Sequence, residues 1–124
     1  LAITDKKDFC WTSMIRQPEF VTPEVFEWAK ESLQKKKPEL DLSKARFQVW
    51  EEGLCVQAMH KGSYDEEAAT IEKMERFIES AGLEADFSEE RRHHEIYLSD
   101  PRKTAPANLK TVIRHPVKKA GQGA

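Results

Sequence analysis

Apolar and polar positions fall into short runs along this chain, and their spacing predicts five strands and two helices. Phe9 to Arg16 (Phe-Cys-Trp-Thr-Ser-Met-Ile-Arg) has strand composition and stops before Pro18. Thr22-Pro23-Glu24 marks a helix start, with Thr as N-cap, Pro at the first helical position and an acid in the first turn. That helix runs to about Lys36, with Val25, Phe26, Ala29 and Leu33 on one face. Lys35, Lys36 and Lys37 sit at its C-terminal end, where the helix dipole favours cations, and Pro38 stops it. Ala45 to Glu52 is a second strand, and Gly53 separates it from a third, Leu54 to Lys61, a spacing that predicts a hairpin. Gly62 to Glu67 opens a second helix, with Ser63 and Glu66 as a capping box or Asp65 as the N-cap. Ile71, Met74, Phe77, Ile78 and Ala81 repeat at three and four residues, and Gly82 is a natural C′ residue. Arg92 to Leu98 is a fourth strand, Ser99-Asp100-Pro101-Arg102 a turn, and Leu109 to His115 a fifth strand ended by Pro116.

Strand–helix–strand thus occurs twice, a weak internal repeat. The expected fold is α+β: two pseudo-symmetric strand-helix-strand repeats forming a curved antiparallel sheet, both helices on one face and a ligand groove on the other. All 124 residues form one domain. Leu1 opens the chain in place of Met, so the N-terminal strand or strands of the first repeat are expected to lie before it. Residues 118–124 form a frayed tail.

Alternation along the fourth strand separates His94, Ile96 and Leu98 from His93, Glu95 and Tyr97. The apolar pair Ile96 and Leu98 is expected to face the helices, which sends Glu95 and Tyr97 into the groove. A carboxylate in mid-strand is costly unless it is paired, hydrogen-bonded or used. It is either ion-paired to Arg114 or Arg16, or it is a ligand-facing acid or general base with a tuned pKa. Trp11, Met14, Trp50, Met59 and Tyr64 are candidate groove walls, and core packing is the plain alternative for each. Planar walls with one acid suit a flat, apolar or cationic ligand.

Composition narrows the classes. Net charge is −2, from 20 basic and 22 acidic residues, which attracts neither nucleic acid nor an anionic membrane. No apolar run reaches the roughly 18 residues of a membrane span. Cys10 and Cys55 form no CxxC pair and read as reduced thiols of a cytoplasmic protein, acting as a monomer or homodimer. His93 and His94 are neighbours on a strand and cannot chelate together; His93, Glu95 and His60 converge only if two strands cooperate, so no metal or other cofactor is expected. Cys55 lacks a nucleophile motif, and no Gly-rich phosphate loop is present.

The run Gly53-Leu54-Cys55-Val56-Gln57-Ala58-Met59-His60-Lys61-Gly62-Ser63-Tyr64-Asp65-Glu66-Glu67 resembles the entry to the second helix of GyrI-like small-molecule-binding domains. His93-His94-Glu95-Ile96-Tyr97-Leu98-Ser99-Asp100-Pro101-Arg102-Lys103, with Leu109 to Val117, resembles that family's ending. Phe9 to Pro18 resembles a strand of its stand-alone subgroup. Together these segments cover about residues 8 to 117. The resemblance implies a curved sheet with a central groove in which Glu95 meets the ligand. Relatives include effector-binding domains of multidrug-responsive regulators. The stand-alone subgroup includes hydrolases that open the cyclopropane of cyclopropanoid DNA-alkylating natural products and so detoxify them. On that footing Glu95 is a general base on water, Tyr97 or Tyr64 a donor to the developing phenolate, and Trp11, Met14, Trp50, Met59, Tyr64 and His93 line the ligand site. A non-catalytic multidrug or effector-binding module is the alternative. The base role further expects half-burial to raise the Glu95 pKa.

Overall fold

Thr22 ends the extended backbone that precedes the first helix, and its hydroxyl accepts the Val25 amide at 3.2 Å. Helix α1, Pro23–Lys36, follows as the sequence predicts. The Lys37 amide closes it on the Leu33 carbonyl, and the Gln34 side chain donates to the carbonyls of Pro38 and Leu40 beyond it. In a computed structural model that describes residues 10–121, the chain divides into two compact units, Leu1–Val49 and Trp50–Ala124. In the first unit α1 is the one regular element among the described residues, and Phe26 stacks obliquely on Phe47 with ring centroids 5.9 Å apart.

Neither strand expected in that part of the chain forms. Residues 10–16 are irregular, with Trp11 and Ile15 largely exposed, and Phe9 lies outside the described residues. Residues 45–52 are also irregular, so there is no hairpin across Gly53. Strand propensity is realised only where a ladder partner takes up the backbone groups. At Glu52 and Leu54 an arginine takes them instead: Arg91 donates from Nε to the Glu52 carbonyl and from Nη2 to the Leu54 carbonyl.

The second unit is a four-stranded antiparallel sheet with one helix. Its elements are β1 (Cys55–Lys61), α2 (Glu67–Ser80), β2 (Leu83–Ala85), β3 (His94–Tyr97) and β4 (Lys110–Lys119). β4 is central. β1 runs along one edge of it, from Cys55 opposite Pro116 to Lys61 opposite Lys110. β3 and then β2 pair along the other, His94 opposite Arg114 and Ala85 opposite Val117. The α+β class with an antiparallel sheet is therefore as the sequence implies, with the pairing partners changed. β2 is not foreseen; three residues are too few to show a period. β4 continues through Pro116, which the sequence makes its end. Proline has no N–H to give, but the Pro116 carbonyl accepts from Asp86 and the next amide, Val117, donates to Leu54, so the ladder is unbroken.

α2 begins after a single 3-10 turn, Tyr64–Glu66. The capping box does not form, since the Ser63 side chain makes no cap bond; its carbonyl accepts the Glu66 amide instead. Gly82 stands past the helix end with φ +72°, where a Cβ is disfavoured, and its amide reaches the Glu79 carbonyl. The α2 residues Met74 and Ile78 pack on the sheet's buried face, formed by Leu109, Ile113 and Val117 with Thr111 and His115. Cys10 and Cys55 are both free thiols. No helix of the described residues is long and apolar enough to cross a membrane.

Candidate functional site

Cross-strand partners share a face of an antiparallel sheet. Glu95 lies opposite Ile113, and Tyr97 opposite Thr111. Both therefore stand on the face that carries α2, which reverses the orientation expected from the sequence. Ile96 lies opposite Val112 on the outer face, and Leu98 beyond it is exposed. Alternation identifies which residues share a face, but not which face the helix covers. A carboxylate is tolerated on the helix side because it is fully engaged there.

The engagement comes from three directions. His93 Nε2 lies 3.1 Å from Glu95 Oε1, and the Tyr97 hydroxyl donates to Glu95 Oε2 at 2.5 Å. From α2, the Glu67 carboxyl brings an oxygen within 4.8 Å of the Glu95 carboxylate. His93 is held in turn, its Nδ1 2.6 Å from Nε2 of the buried His115. The rings of Phe87 and His115 meet edge-on at 5.1 Å. Tyr64, in the turn before α2, sets its ring edge-on to Tyr97 at 5.6 Å. Both phenol rings are open to solvent, so the cluster presents an aromatic corner beside an acid.

Electrostatics divides the two carboxyls. The hydrogen bond from His93 holds the Glu95 pKa far below the usual carboxylate range, helped by Glu67 and Tyr97 and outweighing burial. This overturns the expectation that half-burial raises it. Burial, and then the bond and charge of Glu95, push Glu67 up to about 8. Tyr97 is raised by burial and by the acid it serves. Burial, with the neighbouring His93, depresses His115 to about 4.

Of the eight residues singled out from the sequence, Glu95, Tyr97, Tyr64 and His93 come together here. Met59 lies opposite Val112 on β1, hence on the outer face. Trp50 lines a shallow pocket on that same side with Glu52, Cys55, Arg91, Arg92, His94, Arg114 and Pro116. Trp11 is exposed on the irregular segment of the first unit, and so is Met14. Arg114 is no partner of Glu95. It grips both oxygens of Glu52, at 2.8 and 2.7 Å, and the Gln57 side-chain oxygen. His60 is not drawn in either: it bridges Thr70 Oγ1 at 2.7 Å and the Ser63 carbonyl at 2.8 Å. Because a carbonyl only accepts, Nε2 carries the proton there.

Two members of the cluster escape the sequence reading, Glu67 and His115. Glu67 stands at the close of the Tyr64-Asp65-Glu66-Glu67 run, where an acid reads as helix-dipole compensation; its burial is what sets it apart. Glu67, His93 and Glu95 each present a ligand atom, all within 4.8 Å of one another, a set able to close on a divalent cation. It differs from the trio weighed from the sequence by Glu67 in place of His60.

Comparison with known proteins agrees with the fold. The family model of the GyrI-like small molecule binding domain matches residues 5–118. A crystal structure of a hydrolase from Listeria innocua superposes with a TM-score of 0.76 at 51% identity, covering 83% of this chain and 52% of that one. A crystal structure of an uncharacterized conserved protein from the same organism gives 0.79 at 53% identity, with 83% and 50% covered. The chain thus spans about half the length of these relatives. Among curated proteins none matches. With more than nine-tenths of its length inside the family model, this chain belongs to the GyrI-like small-molecule-binding domain family.

Proposed function

We propose that the protein takes a planar aromatic small molecule against Tyr64 and Tyr97, and that its reaction is the hydrolytic opening of the cyclopropane of cyclopropanoid DNA-alkylating compounds. The observation that carries the reading is Glu95, an ionised carboxylate fixed by a donor on each oxygen beside two solvent-facing phenols. The family membership and the relatives described as hydrolases support it.

In the reaction, water attacks a cyclopropane carbon of a fused dienone. The strained C–C bond breaks, its electron pair aromatises the ring, and the carbonyl oxygen becomes a phenolate. Glu95 orients the water and takes its proton as the bond forms, and that proton ends on the phenolate oxygen. The Tyr97 hydroxyl, or that of Tyr64, stabilises the developing oxyanion by donating to it. A carboxylate with so low a pKa is a weak base while His93 and Tyr97 donate to it. Turnover therefore requires that substrate draw the Tyr97 hydroxyl away, which raises the basicity of Glu95 as the phenolate develops.

The low pKa favours a second reading, in which Glu95 is a permanent counter-ion and the domain binds cationic aromatic ligands without chemistry. One comparison separates the two. Wild-type protein incubated with a cyclopropanoid should yield a product heavier by one water. Glu95→Gln should lower that rate at least a hundredfold while ligand affinity changes less than threefold. Loss of affinity with no product from the wild type supports the counter-ion reading and removes the hydrolase.

A further inference from the structure

We infer that Glu67, His93 and Glu95 form a binding site for a divalent cation of the zinc class, with one imidazole nitrogen and two carboxylate oxygens as its protein ligands. The site follows from the placement of these side chains and does not rest on the function proposed for Glu95.

Each of the three offers one ligand atom, and all three atoms lie within 4.8 Å of one another. Two atoms held about 2.1 Å from one ion, at the angles of octahedral or tetrahedral coordination, stand about 3.0–3.4 Å apart. His93 Nε2 and Glu95 Oε1 are already at that spacing, 3.1 Å. Glu67 closes the set from α2 and is the independent mark of a ligand. It is the first residue of the helix, it is 8% exposed, and its carboxyl is aimed at the other two ligand atoms. Among the described residues, no backbone or side-chain N–H donates to it, and no Lys or Arg ion-pairs with it or with Glu95. Arg114, the nearby strand cation, is spent on Glu52 and Gln57. A carboxylate taken out of water with neither a donor nor a cation is costly. A bound cation supplies what the protein does not.

The surroundings orient the ligands as outer partners do around protein-bound metals. His93 Nδ1 lies 2.6 Å from Nε2 of the buried His115. With the proton of that pair on His93 Nδ1, the lone pair of His93 Nε2 faces Glu95, and the cation takes the place of the proton that Nε2 and Oε1 otherwise share. The Tyr97 hydroxyl holds Glu95 Oε2 at 2.5 Å, which leaves Oε1 to coordinate. The donor set selects the ion. Calcium and magnesium call for a fuller shell of oxygens, whereas one imidazole with two carboxylates suits zinc or a neighbouring first-row divalent ion. Three protein ligands leave a position for water.

Zinc chloride titrated into the chelator-treated full chain at neutral pH, followed by calorimetry, tests the site. One equivalent should bind with a Kd on the order of 10 μM or tighter. Glu67→Gln, which keeps the shape of the side chain and removes its charge, and His93→Ala should each weaken binding about tenfold or more. His94→Ala removes a ring that faces Glu52 on the outer side of the sheet, and should bind as the wild type does. Ring-nitrogen NMR of the wild type makes the test independent of how any variant folds: zinc should shift Nε2 of His93 and leave the His94 ring unmoved. The site is overturned by binding no tighter than about 100 μM, by binding that survives either ligand substitution, or by zinc that moves the His94 ring in place of His93.

Discussion

Single side chains of the second unit show how position changes the meaning of a residue type. Both histidines that matter structurally are buried, yet they serve different ends. His60 uses both ring nitrogens, on Thr70 of α2 and on the Ser63 carbonyl, and so ties β1 to the entry of the helix. Its replacement by Ala leaves two half-buried groups unpaired and opens a cavity. His60→Ala should cost about 3 kcal/mol, read as a lower urea midpoint with an unchanged denaturant slope. Intact stability would mean that water replaces the imidazole at no cost. Glu95 is legible in the sequence because an acid between apolar strand neighbours demands an explanation. Glu67 is not, because acids in a first helical turn are ordinary and only the packing of α2 on the sheet buries this one.

At the scale of elements, the helices are read well and the strands less so. α1 carries its start signal locally, in Thr22 and Pro23, and α2 its stop signal, in Gly82, so these limits can be found without knowing what the helices touch. Strands depend on partners far away in sequence. Residues 45–52 have strand composition and no ladder, whereas Leu83–Ala85 has little signal and pairs with β4. β4 runs through Pro116 because its neighbours do not need the missing N–H. The same central strand carries an unpaid polar atom: Thr111 is fully buried and its hydroxyl has no hydrogen-bond partner. Valine has the same shape without the hydroxyl. Thr111→Val should therefore raise the stability of the domain by about 1 kcal/mol, visible as a higher urea midpoint. A loss of stability would show that the hydroxyl is satisfied in solution.

For the whole molecule, the same cluster that forms the site also sets how stability depends on pH. His115 is held neutral, with a folded pKa near 4 against an ordinary 6.5. Below 6.5 the unfolded chain binds a proton that the folded one refuses, so this contribution is complete above pH 6.5 and is lost as pH falls toward 4. Glu95 acts in the same direction at lower pH: its pKa is depressed, so its contribution is present above about 4.5 and is lost as pH falls further. Glu67 acts in the opposite sense. Its pKa is raised from 4.5 to about 8, so its contribution is complete below 4.5 and is lost as pH climbs to 8. The opposing slopes of His115 and Glu67 overlap between 4.5 and 6.5 and largely cancel there. Above 6.5 only Glu67 still changes, and stability should fall by about 2 kcal/mol between pH 6.5 and 8.5. Urea unfolding at those two pH values checks this, and Glu67→Gln should flatten the alkaline slope while leaving the acid-side loss below pH 4.5 in place. If the wild-type midpoint is the same at both values, Glu67 is ionised in the folded protein, and the site then holds two negative charges at neutral pH.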